Sequence, residues 1–406
     1  MTEAADGSGR TTHRRRAVGI VGAGQLARMT IEAASALGVP VVLLAEDPIE
    51  AATELTSHVL LGAPTDAGQL WALAARCDVV TFDHEQVDLE MLTTFEEAGV
   101  AVRPGVSAMR LGVDKAHMRL TLAGLGVPVV AHQVLDRESD ASLPEQIEAF
   151  GAAHGWPLVL KASRGGYDGK GVWPVADIAE AITVWQGATD SGVDLLVEAH
   201  VPIDFELSAL VVRRPSETLA WPVVETTQIG GVCREVSMPG RVTPELATQA
   251  SAIAVHIADA IGVVGVMAVE MFVAGGALMV NELACRPHNS GHWTIEGAVT
   301  SQFENHVRAV LDVPLGSTAA TAPQVVTVNV FGPANGADPV HALEGALGVT
   351  GAHVHLYGKE ARPGRKLGHV TVCGNDAADV KNRAWHAARE LGTPVPSQLL
   401  RPAGSS

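Results

Sequence analysis

Leu158-Val159-Leu160-Lys161-Ala162-Ser163-Arg164-Gly165-Gly166-Tyr167-Asp168-Gly169-Lys170-Gly171 runs an apolar stretch straight into a glycine-rich loop. The apolar part reads as a buried strand that ends on a lysine. Four glycines fall between positions 165 and 171. They permit positive φ and close backbone approach, so their N–H groups can form a nest around phosphate oxygens. Lys161 and Lys170 supply charge against phosphate. The pattern GxxxxGK[ST] is absent, so this is not a Walker loop. A surface hairpin with an exposed lysine is the plain alternative. It does not explain why two of six lysines and one of two tyrosines fall in this stretch.

Downstream, Asp194-Leu195-Leu196-Val197-Glu198 reads as the next strand. Backbone groups at Glu198, Ala199, His200 and Val201 could pair with an adenine edge, and Glu206 could accept from ribose hydroxyls. Glu270 lies inside the apolar strand Gly265–Val273, and Glu282 inside Ala277–Leu283. Ala274-Gly275-Gly276 joins them as a hairpin signal. The hairpin can set the two carboxylates side by side, where burial of like charge calls for a cation. Oxygen ligands together with phosphates suit Mg²⁺, and Asn281 offers a further oxygen. Two basic segments follow. Arg286-Pro287-His288-Asn289-Ser290-Gly291-His292 comes directly after the carboxylates, and Tyr357-Gly358-Lys359-Glu360-Ala361-Arg362-Pro363-Gly364-Arg365-Lys366 is a dense cationic loop suited to a phosphate.

Upstream, residues 17–22, 41–45 and 78–82 read as buried parallel strands, each followed by a helix-length segment. That pattern is a doubly wound unit, and it makes the chain an α/β protein. Gly22-Ala23-Gly24-Gln25-Leu26-Ala27 fits GxGxxA, with Glu46 or Asp47 about 20 residues on. Taken alone it is a dinucleotide fingerprint. A strand–glycine–helix turn also serves packing in many such units, and the richer phosphate loop lies elsewhere. The expected divisions are a tail at 1–16, a Rossmann-like unit at 17–112, and a central unit at 113–313 with a lid at about 125–198. A Pro/Thr/Ala-rich linker at 314–323 then opens the last unit, 314–406.

Composition bounds the partners. The 406 residues carry a net charge of −17, which disfavours nucleic acid and anionic membrane as main partners. The 47% hydrophobic fraction supports full cores. Four dispersed cysteines show neither zinc spacing nor a disulfide framework, so a reducing compartment is expected. Arg14 to Arg16 precede an apolar run that glycines and charges soon break, unlike a signal peptide. No uninterrupted apolar segment reaches the length of a membrane span.

The ordered set GxGQLxRM, LVLKxxxGGYDGKG, MAVEMF, NELAxRPHNSGHW and KExRPGRKxGH resembles the N5-carboxyaminoimidazole ribonucleotide synthetase family. These are ATP-grasp enzymes of purine biosynthesis, and the likeness runs from about residue 17 to about residue 392. The resemblance implies an ATP-grasp architecture: an N-terminal pre-ATP-grasp unit, a central ATP-grasp unit and a small C-terminal unit. It implies carboxylation of 5-aminoimidazole ribonucleotide with ATP, Mg²⁺ and bicarbonate, through carboxyphosphate. A cytoplasmic homodimer is implied with it, acting on small molecules.

Residue roles carried by the resemblance are as follows. Lys115 and Lys161 look like ATP phosphate ligands, and Gly165, Gly166, Tyr167, Asp168, Gly169, Lys170 and Gly171 like the covering loop. Glu198 to Val201 look like the adenine hinge, Glu206 the ribose acceptor and Gln228 a further nucleotide contact. Glu270 and Glu282 look like metal ligands beside Asn281. Tyr167, Asp168, Lys170, Arg286, His288 and Asn289 look like the catalytic end, with His292 a support. Lys359, Arg365 and Lys366 look like the clamp on the ribonucleotide phosphate, with Gln25 and Leu26 bordering that nucleotide. The sequence departs from the pattern at Cys285 (usually proline), Ala27 (usually glycine), Lys170 (often arginine) and Gln228 (histidine in some members). A formate-using relative would differ at His288–Trp293, a sensor would lack a metal carboxylate or lysine, and an oxidoreductase would depend on residues 22–27 alone.

Overall fold

The computed structural model describes residues 15–165 and 171–396. The tail expected at 1–16 lies outside them up to residue 14, as do residues 397–406.

The N-terminal unit comprises β1 (Val18–Val21), α1 (Gln25–Ala36), β2 (Val41–Ala45), β3 (Val59–Leu61), α2 (Ala67–Ala74), β4 (Val79–Phe82) and α3 (Leu89–Glu97). Its four strands are parallel in the order β3-β2-β1-β4. β1, β2 and β4 are buried along their whole length, as their unbroken apolar runs require. One expectation is corrected: no α-helix follows β2. The chain makes a short 3₁₀ turn at Thr53–Leu55 and returns as β3, a half-exposed strand too short to signal itself.

α4 (Val106–Val113) and α5 (Lys115–Gly124) lead into a small sheet. That sheet holds β5 (His132–Val134), β6 (Leu158–Ala162), β7 (Val172–Val175) and β8 (Leu195–Ala199), all antiparallel, in the order β5-β8-β6-β7. α6 (Leu143–His154) and α7 (Ile178–Asp190) complete the unit and cover one face, closing a core around Ile147, Phe150, Leu158, Leu160 and Val197. α6 starts at a capping box between Ser142 and Glu145, which satisfies N–H groups otherwise left open at a helix start.

The rest of the chain builds one nine-stranded sheet. It contains β9 (Phe205–Arg214), β10 (Glu217–Ala220), β11 (Val224–Ile229), β12 (Val232–Met238), β13 (Gly265–Ala274), β14 (Ala277–Ala284), β15 (Gln324–Phe331), β16 (Ala352–Leu356) and β17 (Lys366–Gly374). The order is β14-β13-β9-β11-β12-β15-β17-β16, with β10 on β9. α8 (Pro244–Ile261), α9 (Thr294–Gly297), α10 (Gln302–Val310), α11 (Leu343–Leu347) and α12 (Ala377–Glu390) are its helices. The strands after the 314–323 linker therefore continue the central sheet through β12 and β15 rather than forming a sheet of their own. They keep a separate core on α12, around Val328, Val370, Val380 and Trp385. A buried contact joins the two cores: Glu235 of β12 takes Lys381 Nζ at 2.8 Å and Trp385 Nε1 at 2.6 Å.

Among the described residues no helix is long and apolar enough to cross a membrane. The four cysteines form no disulfide.

Candidate active site

Glu270 and Glu282 face each other across the β13–β14 hairpin, as direct cross-strand partners. Gly275 and Gly276 make the turn with φ of +56° and +79°, which side-chain-bearing residues rarely adopt. Burial pushes the Glu270 carboxyl up to about 8, and the nearby Glu282 and Glu206 charges push the same way. A buried carboxylate pair of this kind favours a cation. Among the described residues no group of three or more His, Cys, Asp or Glu could hold a metal alone. The oxygen donors present, Glu270 and Glu282 with Asn281 beside them, suit a hard cation that draws its other oxygens from phosphates and water.

The cations sit opposite. Lys115, at the start of α5, pairs with Glu282, and Lys161, at the end of β6, donates to Asn281 Oδ1 at 3.2 Å. Two contacts staple the small sheet here: Lys115 N–H donates to Ser163 O at 2.8 Å, and Arg164 forks onto Asp114 at 2.8 and 3.0 Å. The glycine loop enters at Gly165 and leaves at Gly171, with φ of +76° and +75°. Gly166, Tyr167, Asp168, Gly169 and Lys170 lie outside the described residues.

The Glu198 side chain takes no part in the hinge expected of the backbone. It is buried and ion-paired to Arg119 at 2.6 Å and Lys161 at 2.7 Å. Ala199 N–H bonds Ala131 O at 2.9 Å, so the strand stays paired to its end. His200 and Val201 lie beyond it. Glu206 and Gln228 are half-buried on neighbouring strands β9 and β11. Burial pushes the Glu206 carboxyl up to about 7, against the pull of Lys161.

The turn after β14 is held from three sides. Arg286 Nε lies 2.7 Å from Glu85 Oε2, a residue of the N-terminal unit. His288 contacts Glu270 at 3.4 Å through Nε2 and Ser290 Oγ at 2.9 Å through Nδ1, and Ser290 meets Ser208 at 2.7 Å. Burial, then Arg286 and Lys366, push His288 down to about 3, so its ring is neutral at physiological pH. The fully buried Gln302 accepts from His288 N–H at 2.8 Å, donates to His288 O at 2.7 Å and meets His292 Nδ1 at 3.2 Å. His292 is wholly buried.

The last basic loop reaches the same place. Lys366 Nζ donates to Asn289 Oδ1 at 3.4 Å, and Lys359 bonds the Gln25 side chain. Arg365 is exposed and donates to Glu360 O at 3.0 Å within its own turn. The Leu26 side chain is 6% exposed and packs with Met29, Phe303 and Tyr357, so only its backbone, at the start of α1, is left to border a ligand.

The GxGxxA motif is also resolved. The Asp83 carboxylate sits on the α1 N-terminus, accepting from Gly24 N–H at 2.8 Å and Ala27 N–H at 2.7 Å. A Cβ on Gly24 would overlap Asp83 Oδ2. The position a dinucleotide pyrophosphate would take is filled by the chain's own anion. Asp83 and Glu85 escaped the sequence reading, along with Arg119, Asp114, Ser208 and Gln302. Asp83 and Glu85 had one available signal, since both follow the carboxyl end of a parallel strand, where ligands commonly bind.

Two antiparallel sheets whose lysines and carboxylates meet at one seam are the ATP-grasp arrangement, and the chain is an ATP-dependent ligase of that class. Three family models match it in order: the ribonucleotide synthetase preATP-grasp domain at 15–112, the ATP-grasp domain at 120–303, and the phosphoribosylaminoimidazole carboxylase C-terminal domain at 326–383. The N5-carboxyaminoimidazole ribonucleotide synthase of Mycobacterium tuberculosis is 47% identical over 92% of this chain and 87% of its own length. The enzyme of that name from Corynebacterium ammoniagenes is 41% identical over 91% of each. Among solved structures, the Aspergillus clavatus synthase with ADP and 5-aminoimidazole ribonucleotide superposes with a TM-score of 0.84. Its identity is 32%, covering 93% of this chain and 98% of that one. The Thermus thermophilus synthetase gives 0.83 at 36% identity, covering 93% and 99%.

The chain belongs to the N5-carboxyaminoimidazole ribonucleotide synthase family. It carboxylates 5-aminoimidazole ribonucleotide in purine biosynthesis.

Proposed function

We propose that the chain takes bicarbonate as the carboxyl source and activates it with ATP as carboxyphosphate, whose carboxyl passes to the exocyclic amine of the ribonucleotide. The observation that carries this reading is the placement of two pairs of cations, one at the carboxylate hairpin and one against the α1 start and the 286–290 turn. Lys115 and Lys161 stand by the carboxylate hairpin, and Lys359 and Lys366 reach Gln25 and Asn289 beyond it. Each pair suits a phosphate, and Arg286 with His288 lies between them in sequence and contact.

Glu270 and Glu282, with Asn281, would hold Mg²⁺, which when bound neutralises the nucleotide's β- and γ-phosphate charge. Lys115 and Lys161 bind phosphate oxygens. Arg286 offers a fixed guanidinium to the bicarbonate anion. Neutral His288 positions the turn through Ser290 and accepts no charge at pH 7. Tyr167, Asp168 and Lys170 belong to the covering loop, which excludes water from an intermediate that hydrolyses easily. Glu206 accepts from the nucleotide ribose, with Gln228 and the His200–Val201 edge beside it. A cytoplasmic homodimer and division near residues 112 and 313 complete the reading.

The deciding assay is ADP release with bicarbonate plus aminoimidazole ribonucleotide, set against formate plus glycinamide ribonucleotide. Turnover with the first pair alone is expected. Turnover with the second pair overturns the proposal.

Two smaller predictions belong here. Arg365→Ala should raise KM for the ribonucleotide about tenfold or more with little change for ATP, since a phosphate contact is mostly uniform binding. An equal effect on both substrates refutes the clamp. The second concerns pH. The Glu206 proton is held to about pH 7 in the folded chain, against 4.5 ordinarily. Its contribution to stability is present below 4.5 and is lost as pH rises through about 7. The melting temperature of the nucleotide-free protein should therefore fall between about pH 4.5 and 7.5 and level off above, and Glu206→Gln should flatten the fall by a few degrees. An unchanged slope in the variant refutes the burial of that charge.

A further inference from the structure

Arg119 lies on α5 and is 1% exposed, too deep to touch a nucleotide. Its Nε donates to Glu198 Oε1 at 2.6 Å, and Nη1 reaches Val280 O on β14 at 3.4 Å. The other Glu198 oxygen takes Lys161 Nζ at 2.7 Å. The Glu198 and Lys161 side chains are 3% and 10% exposed. Two cations thus share one carboxylate, and the group carries a net charge of one positive unit. Burial pushes Glu198 up, and Arg119 and Lys161 outweigh it and hold the carboxyl below its ordinary value.

Stability alone does not account for such a group. Taking charges out of water is costly, and well-packed apolar residues often serve as well or better. The geometry gives the arginine another use. Without it, Glu198 would neutralise Lys161 completely, because a single buried carboxylate and a single buried ammonium at contact distance cancel. With it, the carboxylate is divided, and the lysine is fixed in place while a positive unit remains for a ligand. Arg119 also spans the two sheets, since Glu198 belongs to β8 and Val280 to β14, one residue before Asn281.

We propose that Arg119 is a positioning residue for ATP: it occupies one oxygen of Glu198 so that Lys161 is oriented by the other while the buried group keeps a net positive unit for a nucleotide phosphate. This rests on Lys161 as a phosphate ligand, as proposed above, and adds the residue that leaves the group around that ligand net positive.

The test is steady-state kinetics on Arg119→Met, Arg119→Lys, Glu198→Gln, the double variant Arg119→Met with Glu198→Gln, and Lys161→Met. Arg119→Met reduces the net charge to zero and should raise KM for ATP roughly tenfold or more, with KM for the ribonucleotide within about twofold. Arg119→Lys should recover most of the loss. The double variant restores the net positive unit and should bind ATP better than Arg119→Met, a rescue that lost packing would not produce. Arg119→Met with an unchanged ATP KM overturns the proposal, and so does a double variant no better than the single one. Should Arg119→Met fail to fold, the double variant is judged against Arg119→Lys. ATP KM values within about threefold support the charge count, and a gap of about tenfold overturns it. Lys161→Met separates the two readings. If it leaves ATP KM unchanged, the assignment of Lys161 itself falls; if it raises ATP KM beside a silent Arg119→Met, only this inference falls.

Discussion

Glu282→Gln is expected to cut ADP release roughly 10²–10³-fold, the loss that removing one well-placed electrostatic group typically brings. The residue faces Glu270 across the hairpin and receives Lys115. The amide keeps the shape but removes the charge, so the cation site loses an anionic oxygen and Lys115 loses its partner. The nucleotide-free protein should not suffer. Glu282 raises the Glu270 carboxyl by repulsion, and removing it relieves a like-charge contact. The expected pattern is an unchanged or higher melting temperature without nucleotide, and loss of the extra stabilisation that Mg²⁺ with ATP gives the wild type. A fully active variant would sink the metal assignment. A variant that melts early without nucleotide would show that the carboxylate is a structural group instead.

Arg286→Lys should be nearly as damaging, lowering kcat about a hundredfold with little change in KM for ATP. Burial alone would weaken the guanidinium's hold on its proton, but Glu85 at 2.7 Å, with Asp83 and Glu282, more than compensates. The cation is therefore fixed in direction and in charge, four residues beyond Glu282 on a turn that Gln302 holds by its backbone. Lysine retains the charge but loses the planar fork that matches an oxyanion with two parallel donors. Glu85→Gln should show a milder loss in the same parameter, since the arginine remains but is less firmly aimed. The measurement is kcat at saturating ATP, bicarbonate and ribonucleotide. Activity within about threefold of wild type for Arg286→Lys would remove Arg286 from the reacting centre.

The parts of the site that the sequence exposes are those confined to one hairpin or loop. Lys161 ends a strand and meets its glycines at once, and Glu270 and Glu282 interrupt apolar strands joined by two glycines. Period and turn chemistry suffice there, and the observed register pairs the carboxylates as that reasoning expects. Most supporting residues were hidden because their partners lie far off in the sequence, and only the strand-end position of Asp83 and Glu85 marks any of them. Arg119 lies 79 positions from Glu198, and Glu85 about 200 positions from Arg286. Their partners are set by how units pack, which periodicity does not encode. Two local features have the same distant origin. The GxG turn is shaped by Asp83, 59 residues from Gly24, and the Leu26 side chain turns into a cluster completed by Phe303 and Tyr357.

The strand order also has a consequence for synthesis. β12 is complete at Met238, but its neighbour β15 begins at Gln324, about 90 residues later. At about 5–20 residues per second, the growing chain carries that edge unpaired for several seconds or more. The exposed strand, Val232–Met238, is partly apolar and offers open N–H and C=O groups of the kind that pair with other chains. A nascent chain arrested between residues 240 and 320 should therefore be the most aggregation-prone species along its synthesis, and the late strands that flank the last basic loop double as the cover that ends this exposure.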